Sequence, residues 1–285
     1  MIIVTGANGK LGRAVVGRLL QHVPASQLGV SVREPKKAYE FHDLGVRVRL
    51  GNFEDAETLL HAFEGASQVL IVSSGSLGEA ALRQHQTAID AASKAGASRV
   101  LYTSHIGASP TSPFEPMTIH AATEEMLKAS GIPFTSFRNG YYSSSGLMFM
   151  GHASETGELI APEDGPVAWT SHADLAEAIA MIIVNQNYEG ITPNLTSSQA
   201  LDMSDIAAIA SRVTGRPIRR TIVTDEQYRD ALLSQGIPEF TANLLPGIFR
   251  ASRRGDFAKT DSTLADLIGH APISFEDSLK ETLSN

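Results

Sequence analysis

Three glycines, Gly6, Gly9 and Gly12, recur at intervals of three in the stretch TGANGKLG, close to the start of a 285-residue chain. At a strand-to-helix turn each has a separate task. Gly6 permits the tight bend, Gly9 lets a phosphate approach the backbone, and Gly12 lets helix and strand pack closely. The free N–H groups and positive dipole end of the following helix then face an anion, which in a dinucleotide is the pyrophosphate. An ordinary glycine-rich turn would carry the same residues, so the reading depends on what flanks them. A second candidate follows after about 20 residues, where such folds meet the adenosine ribose: the sequence there is Val32, Arg33, Glu34. A guanidinium at that place forks onto a 2′-phosphate, and Lys36 and Lys37 add positive charge. The carboxylate of Glu34 would instead suit a free ribose hydroxyl. NADPH is therefore the expected cofactor, with NADH as the second.

The elements that must position these residues are legible on both sides of the turn. Met1 to Val4 is apolar and β-branched, and Leu11 to Leu20 carries apolar residues at helical spacing. The pattern then repeats. Strands near Leu28 to Val32, Val46 to Leu50, Val69 to Val72, Val100 to Thr103 and Phe134 to Phe137 alternate with helical segments, which Pro35 opens and Gly45, Gly65 and Gly96 close. Such alternation requires crossover connections and predicts an α/β fold, a doubly wound parallel sheet of the Rossmann type. Beyond Arg138 the rhythm loosens into a Gly- and Pro-rich stretch, a strong helix from His172 to Ile183 and mostly helical material from Met203. Only short strands are expected there, at Val167 to Trp169, Thr192 to Leu195 and Ile218 to Val223. The division predicted is a nucleotide-binding core over 1–140 and a smaller, mostly helical substrate lobe over 141–285, with helix 172–184 packing back on the core.

Composition excludes several classes. The net charge of −8, with arginines paired only at Arg219–Arg220 and Arg253–Arg254, argues against a nucleic-acid partner. The absence of cysteine removes disulfides and thiol chemistry. The longest apolar run, Ala178 to Val184, is far short of a bilayer span, and no signal-peptide pattern precedes the first strand. A cytoplasmic protein, monomeric or homodimeric and without a membrane partner, is expected.

The opening TGANGKLG, the arginine in SVRE, GNFED, YTSHIGA, SGIPFTSFRNGYY and the closing LIGHAPISFEDSLKE together resemble the NmrA-like, atypical short-chain dehydrogenase/reductase group. Within it the chain is most similar to the bacterial type 2 NAD(P)H:quinone oxidoreductases and triphenylmethane reductases. The resemblance implies that Gly6, Ala7, Asn8, Gly9, Lys10, Leu11 and Gly12 cradle the pyrophosphate and that Arg33 holds the 2′-phosphate. It implies further that Asn52 and Phe53 flank the adenine and that Ser73, Ser74 and Gly75 pass under the phosphates and ribose. Thr103 and Ser104 would lie near the nicotinamide, with Asn139, Gly140 and Tyr141 closing its other side. Asn52 stands where relatives commonly have an aspartate.

Ordinary short-chain dehydrogenases exchange a proton through a tyrosine whose pKa is depressed by a lysine four residues later. This chain has His120 and Glu124 at that spacing, and a carboxylate cannot help ionise a phenol. The pattern points away from ketones and toward acceptors that take hydride readily, such as quinones or other planar electrophiles. His120 would protonate or hydrogen-bond the product, with Glu124 orienting its ring; Asn139 and Tyr141 complete the catalytic candidates. No third ligand accompanies His120 and Glu124, so no metal site is expected. Ser104 beside His105 does not read as a hydrolase pair, because neighbouring strand residues face opposite ways. Tyr141 and Tyr142 are candidates to line a flat acceptor's pocket. A non-catalytic protein that senses NADP(H) and binds a partner protein is the alternative.

Overall fold

The structure, a computed structural model, describes residues 1–284. Its strands are β1 Ile2–Thr5, β2 Leu28–Val32, β3 Arg47–Leu50, β4 Gln68–Ile71, β5 Arg99–His105, β6 Phe134–Asn139, β7 Tyr141–Tyr142, β8 Glu158–Pro162, β9 Trp169–Thr170, β10 Gly190–Leu195 and β11 Arg219–Val223. The helices are α1 Lys10–Leu19, α2 Tyr39–Asp43, α3 Ala56–Phe63, α4 Gly78–Lys94, α5 Glu115–Ala129, α6 Ser143–Phe149, α7 Ala153–Thr156, α8 His172–Asn185, α9 Met203–Thr214, α10 Asp225–Ser234, α11 Glu239–Leu244, α12 Pro246–Arg253, α13 Thr263–Ile268 and α14 Phe275–Ser284.

Seven strands form one parallel sheet in the order β10-β6-β5-β4-β1-β2-β3. Strand order reverses between β1 and β4, which opens a crevice at their C-terminal ends. One face of the sheet is covered by α1 and α8, whose Val15, Leu19, Ile179 and Ile182 are fully buried. The other face packs against α3, α4 and α5 through Leu59, Phe63, Ile89 and Leu127. Buried on both faces, β1, β2 and β4 read as largely apolar, β-branched runs, which is why the sequence signals them so clearly. A third cluster, containing Phe149, Trp169, Ile206, Phe249 and Phe257, forms the core of the C-terminal lobe. There β11 pairs with β8, while capping boxes at Asp202 and Thr224 start α9 and α10.

Two strands run further than their apolar residues suggest. β5 continues past Thr103 to His105, and β6 past Phe137 to Asn139, so that His105 and Asn139 become register partners at the sheet's C-terminal edge. The strand expected at Thr192–Leu195 within the smaller lobe instead joins the main sheet as its last member, β10. The reason is backbone satisfaction: without β10 the outer edge of β6 would present unpaired polar groups. Thr192 Oγ1 also accepts the Arg138 N–H at 3.0 Å, and Thr135 Oγ1 donates to the Tyr188 carbonyl at 2.7 Å.

Helix α5 is fixed to the sheet by a buried ion pair. The Glu124 carboxylate accepts from Nε of Arg138 at 2.7 Å and from its Nη2, and Ser104 and Ser136 donate to Oε1 at 2.7 and 3.2 Å. With the Glu124 side chain only 3% exposed, removing the cation strands a desolvated charge. Arg138→Leu is expected to lower unfolding free energy by roughly 3–5 kcal/mol. Adding Glu124→Leu should restore part of the loss, as a double-mutant cycle in urea denaturation would show.

Candidate active site

The turn after β1 is closed by its own backbone. Gly6, at φ +62°, donates its N–H to the Ser31 carbonyl at 3.1 Å, and its carbonyl accepts from Gly9 at 2.9 Å. A Cβ on Gly12 would stand 2.6 Å from that carbonyl oxygen, so only glycine lets α1 begin this close to β1. No side chain caps the N-terminus of α1 and no acidic residue lies in its first turn, which leaves its N–H groups to an anion. Ala7 and Leu11 are buried and support the turn from within. The Asn8 amide donates to the Glu34 carbonyl at 3.1 Å and ties the turn to the end of β2. Lys10 is exposed and lies close enough to His172 to contribute, after burial, to pushing that imidazole down to about 4.

A cavity of about 630 Å³ opens from this turn along the crevice. Of the residues expected from the sequence, Gly6, Asn8, Gly9, Arg33, Asn52, Phe53, Ser73, Ser74 and Gly75 line it. Arg33 is exposed and has no hydrogen-bond or ion-pair partner among the described residues, whereas Glu34 is paired with Lys37 at 2.8 Å. Sequence reasoning missed Ser31, Gly51, Glu54, Ser76 and Gln84. Gly51, in the quoted motif GNFED, was a signal available: any Cβ there would collide with the Ser31 hydroxyl. Gln84 had no signal, because only folding brings it to the rim. Its Oε1 accepts from the Ser74 hydroxyl, and its amide donates to Glu54 at 3.1 Å.

The loop after β4 is held residue by residue. Successive N–H groups of Val72, Ser73 and Ser74 donate to Thr5 Oγ1 at 2.9 Å, Thr103 Oγ1 at 2.8 Å and His85 Nε2 at 2.9 Å. Because Nε2 accepts, the His85 proton is on Nδ1, which donates to Thr123 Oγ1 at 2.8 Å; Thr123 passes its own hydrogen to the Ile119 carbonyl. Burial pushes His85 down to about 4, so the ring is neutral and the loop stays anchored. Thr103 thus acts on the site through Ser73.

The remaining candidates gather at the ends of β5 and β6. Glu124 does not orient His120, as the helical spacing had suggested; Arg138, Ser104 and Ser136 engage its carboxylate, for a charge inside α5 must be neutralised from the sheet beneath it. The ring of His120 is oriented by Tyr102, whose phenolic oxygen lies 2.8 Å from Nδ1. Ser104 and His105 do not pair: Ser104 donates to Glu124, and His105 Nδ1 accepts the Gly107 N–H at 3.0 Å. Asn139 is 1% exposed and both amide atoms lack a protein partner. A Cβ on Gly140 would strike the Thr170 hydroxyl, so this glycine admits the close approach of β9. Tyr141 sits edge-on to His105, Trp169 and Phe257, with centroids 5.1, 5.5 and 5.1 Å away.

A pH dependence follows from His85. Its folded pKa of about 4 lies below the ordinary 6.5, so between these values the unfolded chain binds more protons. Stability contributed by the neutral ring is present above pH 6.5 and is lost as pH falls toward 4. By pH 5 the loss from this one ring amounts to about 2 kcal/mol. His85→Gln, which can still accept from Ser74, should show a smaller drop in urea-denaturation free energy between pH 7 and pH 5 than wild type by about that amount.

Comparison with known proteins agrees with this geometry over the whole chain. Residues 1–267 match the NmrA-like family. Quinone oxidoreductase 2 of Escherichia coli K12 is 35% identical over 98% of this chain and 97% of its own. The crystal structure of the E. coli NADPH-dependent quinone oxidoreductase complexed with NADPH superimposes with a TM-score of 0.94 at 34% identity, covering all of both chains. Triphenylmethane reductase of Citrobacter sp., complexed with NADP(H), gives 0.92 at 32% identity over 99% of each. Sharing its sequence from the glycine turn through α13 and its fold throughout, the chain belongs to the NmrA-like family.

Proposed function

We propose that this protein is an NADPH-dependent reductase that delivers hydride to quinones or similar planar electrophiles. The observation that carries the reading is that an unpaired Arg33 lines the same cavity as the glycine-closed turn before an uncapped helix N-terminus. That arrangement fits a dinucleotide bearing a third phosphate, and the relatives crystallised with NADPH and NADP(H) share the fold at over 30% identity. Gly6 through Gly12 would hold the pyrophosphate, Arg33 the 2′-phosphate, and Asn52 and Phe53 the adenine. Ser73, Ser74 and Gly75 would follow the phosphates and ribose, with Thr103 and Ser104 behind them. Asn139, Gly140 and Tyr141 would close the nicotinamide end. Bound there, the cofactor supplies a hydride.

The acceptor class follows from what the chain places beyond Ser73. Burial pushes His105 down to about 3 and holds His120 well below its ordinary value, so neither ring is a ready acid at neutral pH. Burial also holds the Tyr141 phenol in its protonated form. A ketone accepting hydride becomes a strongly basic alkoxide that requires a proton at once, whereas a quinone gives a weakly basic hydroquinone anion and a cationic dye requires no proton. Tyr141, only partly buried and backed by the core rings of Phe114, Trp169 and Phe257, offers a flat acceptor an aromatic face.

Cofactor choice tests the reading directly. A charge-assisted contact contributes about 1.5 to 3 kcal/mol, so Arg33→Ala should weaken NADPH by roughly tenfold to a hundredfold and leave NADH nearly unchanged. The difference should shrink with salt. Equal losses for both nucleotides would assign Arg33 to the fold instead. NADPH oxidation should proceed with quinones and cationic dyes and scarcely with aliphatic ketones. Tight NADPH binding with no turnover of any acceptor would return the protein to the sensing role.

A further inference from the structure

The proton inventory at the end of β5 identifies a second histidine with work to do. His105 Nδ1 accepts the Gly107 N–H, which puts that ring's proton on Nε2. His120 Nδ1 faces the phenol of Tyr102, a fully buried residue whose hydroxyl burial keeps protonated. Assigning the phenolic hydrogen to that bond leaves the His120 proton on Nε2 as well. Neither Nε2 has a hydrogen-bond partner among the described residues; His105 is buried but for 8% of its surface and His120 is partly buried. The two rings lie nearly parallel, 24° apart with centroids separated by 6.2 Å. Tyr141 stands edge-on to His105.

Both rings belong at the reacting end of the crevice. His105 is two residues beyond Thr103, whose hydroxyl holds the cavity-lining Ser73, and it is the register partner of Asn139, whose buried amide is unsatisfied. Open α/β sheets bind ligands at the carboxyl ends of their strands, which is where β5 and β6 deliver these side chains. We propose that Nε2–H of His105 and Nε2–H of His120 form a paired hydrogen-bond donor site for the oxygen on which negative charge develops as the acceptor is reduced. His105 is thereby a catalytic residue.

The proposal deepens the reductase reading and rests on it for the identity of the acceptor. In the step, a quinone takes up one hydride with both its electrons and becomes the hydroquinone monoanion, while the nicotinamide is oxidised to NADP⁺. The two imidazoles donate hydrogen bonds to the anionic oxygen and keep their protons; the proton that completes the hydroquinone comes from water. Because both rings are neutral, they act as fixed dipoles with nothing to reorganise as charge appears. A triphenylmethane-type cation takes up hydride to become neutral, so no oxyanion forms and the donors have nothing to stabilise.

The test uses the NADP⁺-loaded protein and 4-nitrophenol, a planar phenol whose anion is followed by absorbance. Wild type should bind the phenolate in preference to the phenol and so lower the apparent pKa of the bound probe. His105→Phe should lose that preference, and His105→Gln, which keeps an N–H near the place of Nε2, should retain most of it. In turnover, His105→Phe should cost roughly a hundredfold in kcat with a quinone and several-fold less with a cationic dye. Unchanged phenolate preference with equal losses on both acceptors would overturn the proposal and make His105 a wall of the pocket. If wild type reduced neither acceptor, the reductase reading would fail, and the nitrophenolate measurement would still decide for or against the donor pair.

Discussion

The contact between Gly12 and the carbonyl of Gly6 sets the geometry on which the rest of the site depends. Because no Cβ intervenes, α1 starts directly over the end of β1, and the Gly6 carbonyl can close the turn on Gly9. The N–H groups at the uncapped helix start are left beside the cavity that Gly6, Asn8 and Gly9 line. Two neighbouring strands are tied to that point: Asn8 links it to the end of β2, and Thr5, at the other end of the same turn, holds Val72 after β4. An anion bound there would meet partial positive charge prepared by the backbone, at no cost in side-chain ordering.

Around this rigid end the protein builds its polar interior from neutral groups. His85, Thr123, Tyr102 and His120 form a chain of contacts from the loop after β4 to the ends of β5 and β6. Neutral imidazoles are economical in such a place, since each can present one donor and one acceptor without the desolvation cost of a charge. The one buried charge on α5, Glu124, is neutralised by Arg138 from the sheet, beside the site and not within it. The pair still reaches the neutral chain: after burial, the Arg138 cation helps to hold His105 and His120 neutral.

The segment that follows β7 packs on the sheet's C-terminal edge through aromatic residues. Phe257 and Trp169 wall Tyr141, while Phe114 reaches it from the segment before α5. Gly107 allows Phe257 to press against the backbone beside His105, since a Cβ there would overlap the ring. The lobe and the sheet are therefore joined around Tyr141 and His105. The chain then returns to the sheet in β10, and α13 packs on α8, so the second half of the sequence braces the first.

By itself the sequence determined the alternation of strands and helices, the parallel sheet, the glycine turn and the cation at Arg33. Each of these is a local signal: strand apolarity, helical periodicity, and glycine where the backbone leaves no room for Cβ. The cavity residues Asn52, Phe53 and Ser73 to Gly75 came from motif resemblance, and they line the crevice because they follow strand ends. Only the tertiary structure decided the pairings. Glu124 and His120 share a helix face by spacing, yet one meets Arg138 and the other Tyr102, because what lies opposite a helix residue is set by strand register. His105 looked like a neighbour of Ser104 and proved to be the partner of Asn139. The strand at Gly190–Leu195 is interrupted by Thr192, Pro193 and Asn194 and does not announce its sheet; the unpaired edge of β6 selects it. Period and composition report how a segment folds, while the identity of a buried polar group's partner depends on which distant residues share its desolvated volume.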